Sequence, residues 1–336
     1  REATGLRTFS GIGKEAVGPW GHGAVELSLF ASQFAYCTTY FIFVADNLSM
    51  VLEVAFGWHV GQLTLMLLQL IAYIPLSWVR RIKVLSQAML FANVCIATGI
   101  VTVIGFASHR IAAEGFHRDV EAINPKGLFL FTGSVVICFE GIGLVLPIRD
   151  MMKKPQKFKS LLTLCMLGLT LVYCALGAFG YLAYGGGIER FVIQSVARDH
   201  PGPGSVAQLA YSCAVVLTYP LMLLPAMNVI NRYLVRLGLW KRSKTDAEKM
   251  MENLIRTFIV LCSFGIAVLC GRSFDNFVGV VGAFCACPLA LIYPIVFHYR
   301  LIGTPSITKT VVHGILLLGG LVGLFLCAAV SLATWS

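Results

Sequence analysis

Residues Asn124 to Phe158 read NPKGLFLFTGSVVICFEGIGLVLPIRDMMKKPQKF, an apolar span with the carboxylate Glu140 and the glycines Gly133, Gly141 and Gly143 inside it. An ionisable side chain at membrane depth is expensive, about 2.5–3.5 kcal/mol for an Asp at a helix centre on insertion scales. Each glycine weakens a helix by about 1 kcal/mol relative to Ala, and Pro147 is expected to stop this one. A helix interrupted beside its own acid reads as a binding element. Glu140 lies past the middle of the span, about 4.5 Å along the axis, too deep for so short a side chain to reach the interface. With Lys and Arg assigned to loops, none is expected at its depth, so Glu140 is paired, solvated in a cavity, or protonated. A proton-carrying role is the functional expectation, and a neutral, hydrogen-bonding structural Glu is the alternative.

Working outward, the whole chain has the composition of a membrane protein. Of 336 residues 57% are hydrophobic and only 12% charged, with a mean hydropathy of +0.80; a soluble domain carries about 25% charge. The net charge of +10 does not indicate nucleic acid, because Lys and Arg are spread over alternate loops rather than gathered on one face. The eleven cysteines fall in or beside apolar spans without C-x-x-C spacing and read as small buried apolar residues. No histidine pair has metal-ligand spacing, and no cofactor or metal is expected. Residues 1–23 are polar and glycine-rich rather than a signal peptide.

Nine spans are expected, at about 24–52, 61–78, 85–106, 128–146, 161–184, 206–234, 254–270, 274–297 and 311–335, each near the ~20 residues a bilayer requires. Residues 1–23 form a cytosolic remnant and 24–335 a single transmembrane domain. Alternate loops carry 20 Lys and Arg on one side and 6 on the other, which by the positive-inside rule places the N-terminus in the cytosol and the C-terminus opposite.

Gln33, Tyr36, Tyr40 and Asn47 share one stripe of the first span, expected to face other helices or a water-filled cavity; a substrate path and plain interhelical hydrogen bonding both fit. Asp46 is expected at the interface near the end of that span. Tyr211, Ser212, Thr218 and Tyr219 give the sixth span a polar side, and Pro220 and Pro225 are expected to break it and release carbonyls. Gly141 and Gly143 would unwind the fourth span so that half-helix ends face a zwitterion, or allow close packing.

Four stretches together resemble the amino acid/auxin permease family, and within it the proton-coupled and vacuolar amino acid transporters. They are SQFAYCTTYFIFVADNL (Ser32–Leu48), FEGIGLVLPIRDMMKKPQKF (Phe139–Phe158), LTYPLMLLPAMNVIN (Leu217–Asn231) and FVGVVGAFCACPLALIYP (Phe277–Pro294). The resemblance implies an all-α polytopic bundle of the leucine-transporter type, with inverted five-helix repeats and sites at broken first and sixth helices. On that template the nine spans look like the third to eleventh helices. Phe139, Glu140 and Gly141 then match the unwound part of the sixth helix, Tyr36 and Tyr40 fall on the third, and Tyr219 falls on the eighth; all six are candidate substrate-binding residues. The first two helices of the family have no counterpart, so the chain reads as N-terminally truncated.

The functional expectation is secondary active transport of small neutral amino acids by alternating access, coupled to protons with Glu140 as the proton-coupling candidate. An amino-acid-sensing receptor, or a non-functional fragment of a transporter, are the alternatives. An enzyme is not expected, since Glu140 is the one deep reactive group. The expected partners are amino acids, protons and the bilayer, at a plasma, vacuolar or lysosomal membrane.

Overall fold

The computed structural model describes residues 5–6, 8–80, 82–124, 127–139, 141–239, 246–303 and 306–334. The described elements are helices: α1 Phe9–Val17, α2 Pro19–Phe56, α3 Gln62–Ser77, α4 Ile82–Glu114, α5 Leu128–Phe139, α6 Ile142–Met151, α7 Phe158–Tyr184, α8 Val192–Asp199, α9 Pro201–Arg236, α10 Asp246–Cys270, α11 Phe274–Val281, α12 Tyr293–Leu301 and α13 Ile307–Ala333. α11 and α12 are joined through two π-helical segments, Gly282–Ala286 and Pro288–Ile292. Pro288, which has no N–H to donate, lies at the start of the second of these widened turns.

Seven helical stretches are long and apolar enough to cross a membrane among the described residues, and the chain is an integral membrane protein by this measure. The other two expected spans take different forms. The stretch at 61–78 is α3, whose 16 residues reach about 24 Å, short of the ~30 Å hydrocarbon core. The stretch at 128–146 is split between α5 and α6. α2 begins at Pro19, where proline suits a first helical turn. It ends at Gly57, whose φ of 70° and N–H bond to Glu53 O close the helix in a left-handed cap.

α2 is the spine of the bundle and packs most extensively against α9, with α3 and α10 completing a central group. Phe41, Tyr73, Tyr219, Leu223, Met227 and Val260 are fully buried in its core. α4, α7 and α8 pack beside α9 around Val103, Ala183 and Val196. α5 packs against α11 and α13. α7 stands at the periphery, with Leu164, Leu167 and Leu171 exposed as a lipid-facing helix requires.

Two expectations about proline are corrected. α9 runs unbroken through Pro220 and Pro225; both are buried there, so neighbouring helices support the turns that lack their hydrogen bonds. α6 also continues through position 147 to Met151, so the interruption precedes the proline instead of following from it. The cysteines also divide: Cys37, Cys95, Cys287 and Cys327 are buried, whereas Cys138, Cys165, Cys174 and Cys213 are exposed on the surface of the protein.

Candidate functional site

The interruption between α5 and α6 organises the site. α5 stops at Phe139 and α6 restarts at Ile142 with Gly141 as its N-cap, at φ −163° and ψ 13°. That φ is extended backbone, so Gly141 does not serve by left-handed strain. Gly143 acts through size: an added Cβ there would stand 3.3 Å from Leu29 Cδ2 and 3.7 Å from Pro225 Cβ. The restarted helix is thereby held close to both α2 and α9. Glu140, the expected proton-coupling residue, lies outside the described residues.

Tyr36 fastens the other half of the break. Its hydroxyl on α2 donates to Ile137 O at 3.1 Å. Ile137 belongs to the last turn of α5, where helix carbonyls lack partners in the helix itself, so the tyrosine caps the broken end from outside. Phe139 meets Tyr173 of α7 edge to face, with centroids 5.5 Å apart.

Tyr173 lines a cavity of about 540 Å³ shared by α2, α4, α7, α9 and the segment leading into α8. Its walls include Phe43, Ile96, Val103, Leu169 and Tyr211, with Asn93 and Arg190 as polar members. A volume of this size is within the ordinary range for small-molecule sites, roughly 300–1,000 Å³. A recess of about 120 Å³ is bordered by Leu29, Ile142, Gly143, Pro225, Asn228 and Arg232. The small recess borders the break through Ile142 and Gly143, and the larger cavity is linked to it through the contact of Phe139 with the wall residue Tyr173.

The remaining candidates are placed differently. Tyr40 stands 3.4 Å from Thr218 Oγ1 and its ring lies 6.3 Å from that of Tyr219. Tyr219 is fully buried, stacked on Tyr73 at 4.1 Å and 3.4 Å from Ser263 Oγ. It sits in the α2–α3–α9–α10 core and is not among the residues lining the large cavity. Gln33 and Asn47, from the same α2 stripe as Tyr36 and Tyr40, are buried with Gln33 Oε1 and Asn47 Oδ1 lacking hydrogen-bond partners.

Asp46 is 18% exposed and pairs with Arg190 at 3.1 Å, with Gln62 Nε2 donating to its other oxygen. At the opposite end of α2, Glu26 is 1% exposed and pairs with Arg232 at 2.7 Å. Glu252 and Arg256 pair at 3.0 Å on α10, both 3% exposed. These pairs correct the expectation that Lys and Arg keep to the loops, since Arg232 lies in α9 and Arg256 in α10, and they show carboxylates besides Glu140 buried in the bundle. Compensated charges enter a bundle where lone ones do not. The signal was present: Arg256 falls one helical turn after Glu252, the spacing at which side chains on a helix meet. Tyr173 was also missed; it is a lone aromatic hydroxyl in the apolar run LTLVYCALG.

The family model described as transmembrane amino acid transporter protein matches residues 1–335. Vacuolar amino acid transporter 4 of Saccharomyces cerevisiae is 33% identical over 324 residues, covering 89% of this chain and 45% of that protein. Vacuolar amino acid transporter 3 of the same yeast is 29% identical, covering 100% of this chain and 48% of the relative. The proton-coupled amino acid transporter-like protein pathetic of Drosophila melanogaster is 27% identical, covering 82% and 57%. The chain spans about half the length of the curated relatives it matches.

Proposed function

We propose, because this chain belongs to the transmembrane amino acid transporter family, that it is part of a secondary transporter moving small neutral amino acids with protons across a vacuolar-type membrane. The observation that carries this reading is the α5–α6 interruption, bordered by a recess at Ile142 and Gly143 and linked through Phe139 and Tyr173 to the larger cavity. Half-helix ends offer oriented backbone groups to a charged head group without burying a further full charge. The largely apolar walls of the 540 Å³ cavity suit a small uncharged side chain. Alternating access follows if each cavity in turn connects the break to its own side of the membrane. The excess of Lys and Arg in one set of loops supports a cytosolic N-terminus. The vacuolar assignment rests on the yeast relatives being vacuolar amino acid transporters.

In this scheme Glu140 carries the coupled proton, and Phe139, Gly141 and Tyr36 shape the binding region. Tyr40 and Tyr219 act from the packed scaffold behind it. The test is uptake of tritiated alanine, leucine, proline and glutamine into proteoliposomes under an imposed pH gradient. It is run on this chain and on a longer version carrying two preceding helices from a relative. Accumulation that follows the gradient, and that loses its pH dependence in Glu140→Gln, supports the proposal. Absence of accumulation by the longer version rejects transport, and an unaltered pH response in Glu140→Gln rejects the proton role alone.

A further inference from the structure

Arg190 is the one charged residue lining the large cavity among the described residues. It immediately precedes the short helix α8, and its position is fixed by neighbours on both sides. Glu189 N–H donates to Ser195 Oγ at 2.9 Å, and the Glu189 carboxylate pairs with Arg198 at 2.8 Å. Phe191 packs edge to face on Phe43 at 4.7 Å and on Phe274 at 5.6 Å. The Arg190 guanidinium lies 5.6 Å from the Phe274 ring centroid, and its Nη1 donates to Asp46 Oδ2 at 3.1 Å and to Gly271 O at 3.3 Å. Asp46 is held from its other oxygen by Gln62.

We propose that Arg190, on the wall of this cavity, and its partner Asp46 form a docking subsite for the charged head group of a zwitterionic amino acid. The inference rests on the transport reading above and adds a recognition site away from the α5–α6 break. An arriving amino acid presents a carboxylate to the planar guanidinium and an ammonium group to Asp46. The two protein charges exchange each other for the ligand's two charges, so no buried charge is left uncompensated at any point. Arginine offers a carboxylate a fork of parallel donors that a lysine does not. Gln62 keeps Asp46 oriented while its other oxygen changes partner. The ligand side chain then lies toward the apolar walls of the cavity, Ile96, Val103, Leu176 and Val192. The side chains of Arg190 and Asp46 are 30% and 18% exposed, so both charges are accessible to an arriving ligand.

The test is equilibrium binding of tritiated leucine and of leucine methyl ester to the detergent-purified chain, with monodispersity checked for every variant. The ester keeps the ammonium group and lacks the carboxylate. Arg190→Gln is expected to lower the preference for leucine over its ester at least about tenfold, the scale of a charge-assisted hydrogen bond. Arg190→Lys, which keeps the charge and so protects folding, is expected to lower it by a smaller factor. Asp46→Asn is expected to weaken acid and ester in parallel, since both carry the ammonium group. An unchanged preference in Arg190→Lys and Arg190→Gln overturns the subsite, as does parallel weakening of acid and ester in both. If the wild-type chain and its longer version bind no amino acid at all, the transport reading falls first. If they bind leucine and the variants match wild type, only the subsite is lost.

Discussion

Glu26 of α2 and Arg232 of α9 meet at 2.7 Å although 206 positions separate them in the chain. The pair is asymmetric, with the Glu26 side chain 1% exposed and that of Arg232 35% exposed. His22 adds to it: Nδ1 lies 3.0 Å from Ser10 O, and Nε2 lies 2.7 Å from Arg236 Nη2. Glu26 Oε2 lies 3.3 Å from His22 Nε2 and makes no hydrogen bond, so the hydrogen bond to this carboxylate comes from Arg232.

The two single substitutions at this pair therefore have unequal costs. Arg232→Ala strands a buried carboxylate and is expected to destabilise by about 3–5 kcal/mol. Glu26→Gln leaves a guanidinium that water already reaches, and is expected to cost less than about 2 kcal/mol. Denaturant unfolding in detergent micelles, followed by tryptophan fluorescence, measures both. Equal costs contradict the asymmetry.

At Glu252 and Arg256 the order is set by the number of partners instead. Glu252 also receives Asn231 Nδ2 at 3.3 Å and faces Arg80 Nε at 3.7 Å, so Arg256→Met leaves the carboxylate compensated. Glu252→Ala leaves Arg256 at 3% exposure with Ser77 O at 2.6 Å as its remaining named acceptor and its Nε unpartnered. The carboxylate replacement is expected to be the worse of the two, with a loss of about 3–5 kcal/mol. The same unfolding measurement ranks them, and a larger loss for Arg256→Met contradicts it.

The two glycines of the break separate packing from conformation. Gly143→Val adds bulk 3.3 Å from Leu29 and 3.7 Å from Pro225 and is expected to cost about 1–3 kcal/mol by overpacking. Gly141 has open space where a Cβ would stand and extended φ, so Gly141→Ala is expected to change stability by no more than about 0.5 kcal/mol. Comparable losses at both positions would falsify the assignment of Gly143 to helix contact.

The contrast between these glycines marks how far the sequence could be read. Apolar runs of bilayer length and the Lys and Arg bias are local signals, so the helical membrane class and most helix positions were legible. The interruption at Gly141 was legible too, because an acid among glycines is locally unfavourable. Its placement relative to Pro147 was not, since a proline stops a helix only where neighbouring elements fail to support the turn. That support is a property of the packed bundle. The ion pairs of Glu26 with Arg232 and Asp46 with Arg190 join residues far apart in sequence, and neither partner reveals the other. Tyr219 carried the same local signal as Tyr36, but packing sends one into the core beside Tyr73 and the other to the broken end of α5.

Tyr36 therefore provides the sharpest test of the break itself. Its hydroxyl caps the Ile137 carbonyl at 3.1 Å, and Tyr36→Phe removes that donor while keeping the ring. One hydrogen bond contributes about 0.5–1.5 kcal/mol to stability, so the variant is expected to fold and remain monodisperse. The end of α5, however, loses the contact tying it to α2, and Phe139 is only two residues further on, against Tyr173 and the cavity. Hydrogen exchange of the amides at 134–139 is expected to speed up by about three- to tenfold, with little change in the α9–α10 core. Amino acid uptake is expected to fall by a similar factor if the break binds substrate. Faster exchange with unchanged uptake would keep Tyr36 as the cap of α5 and separate that role from transport.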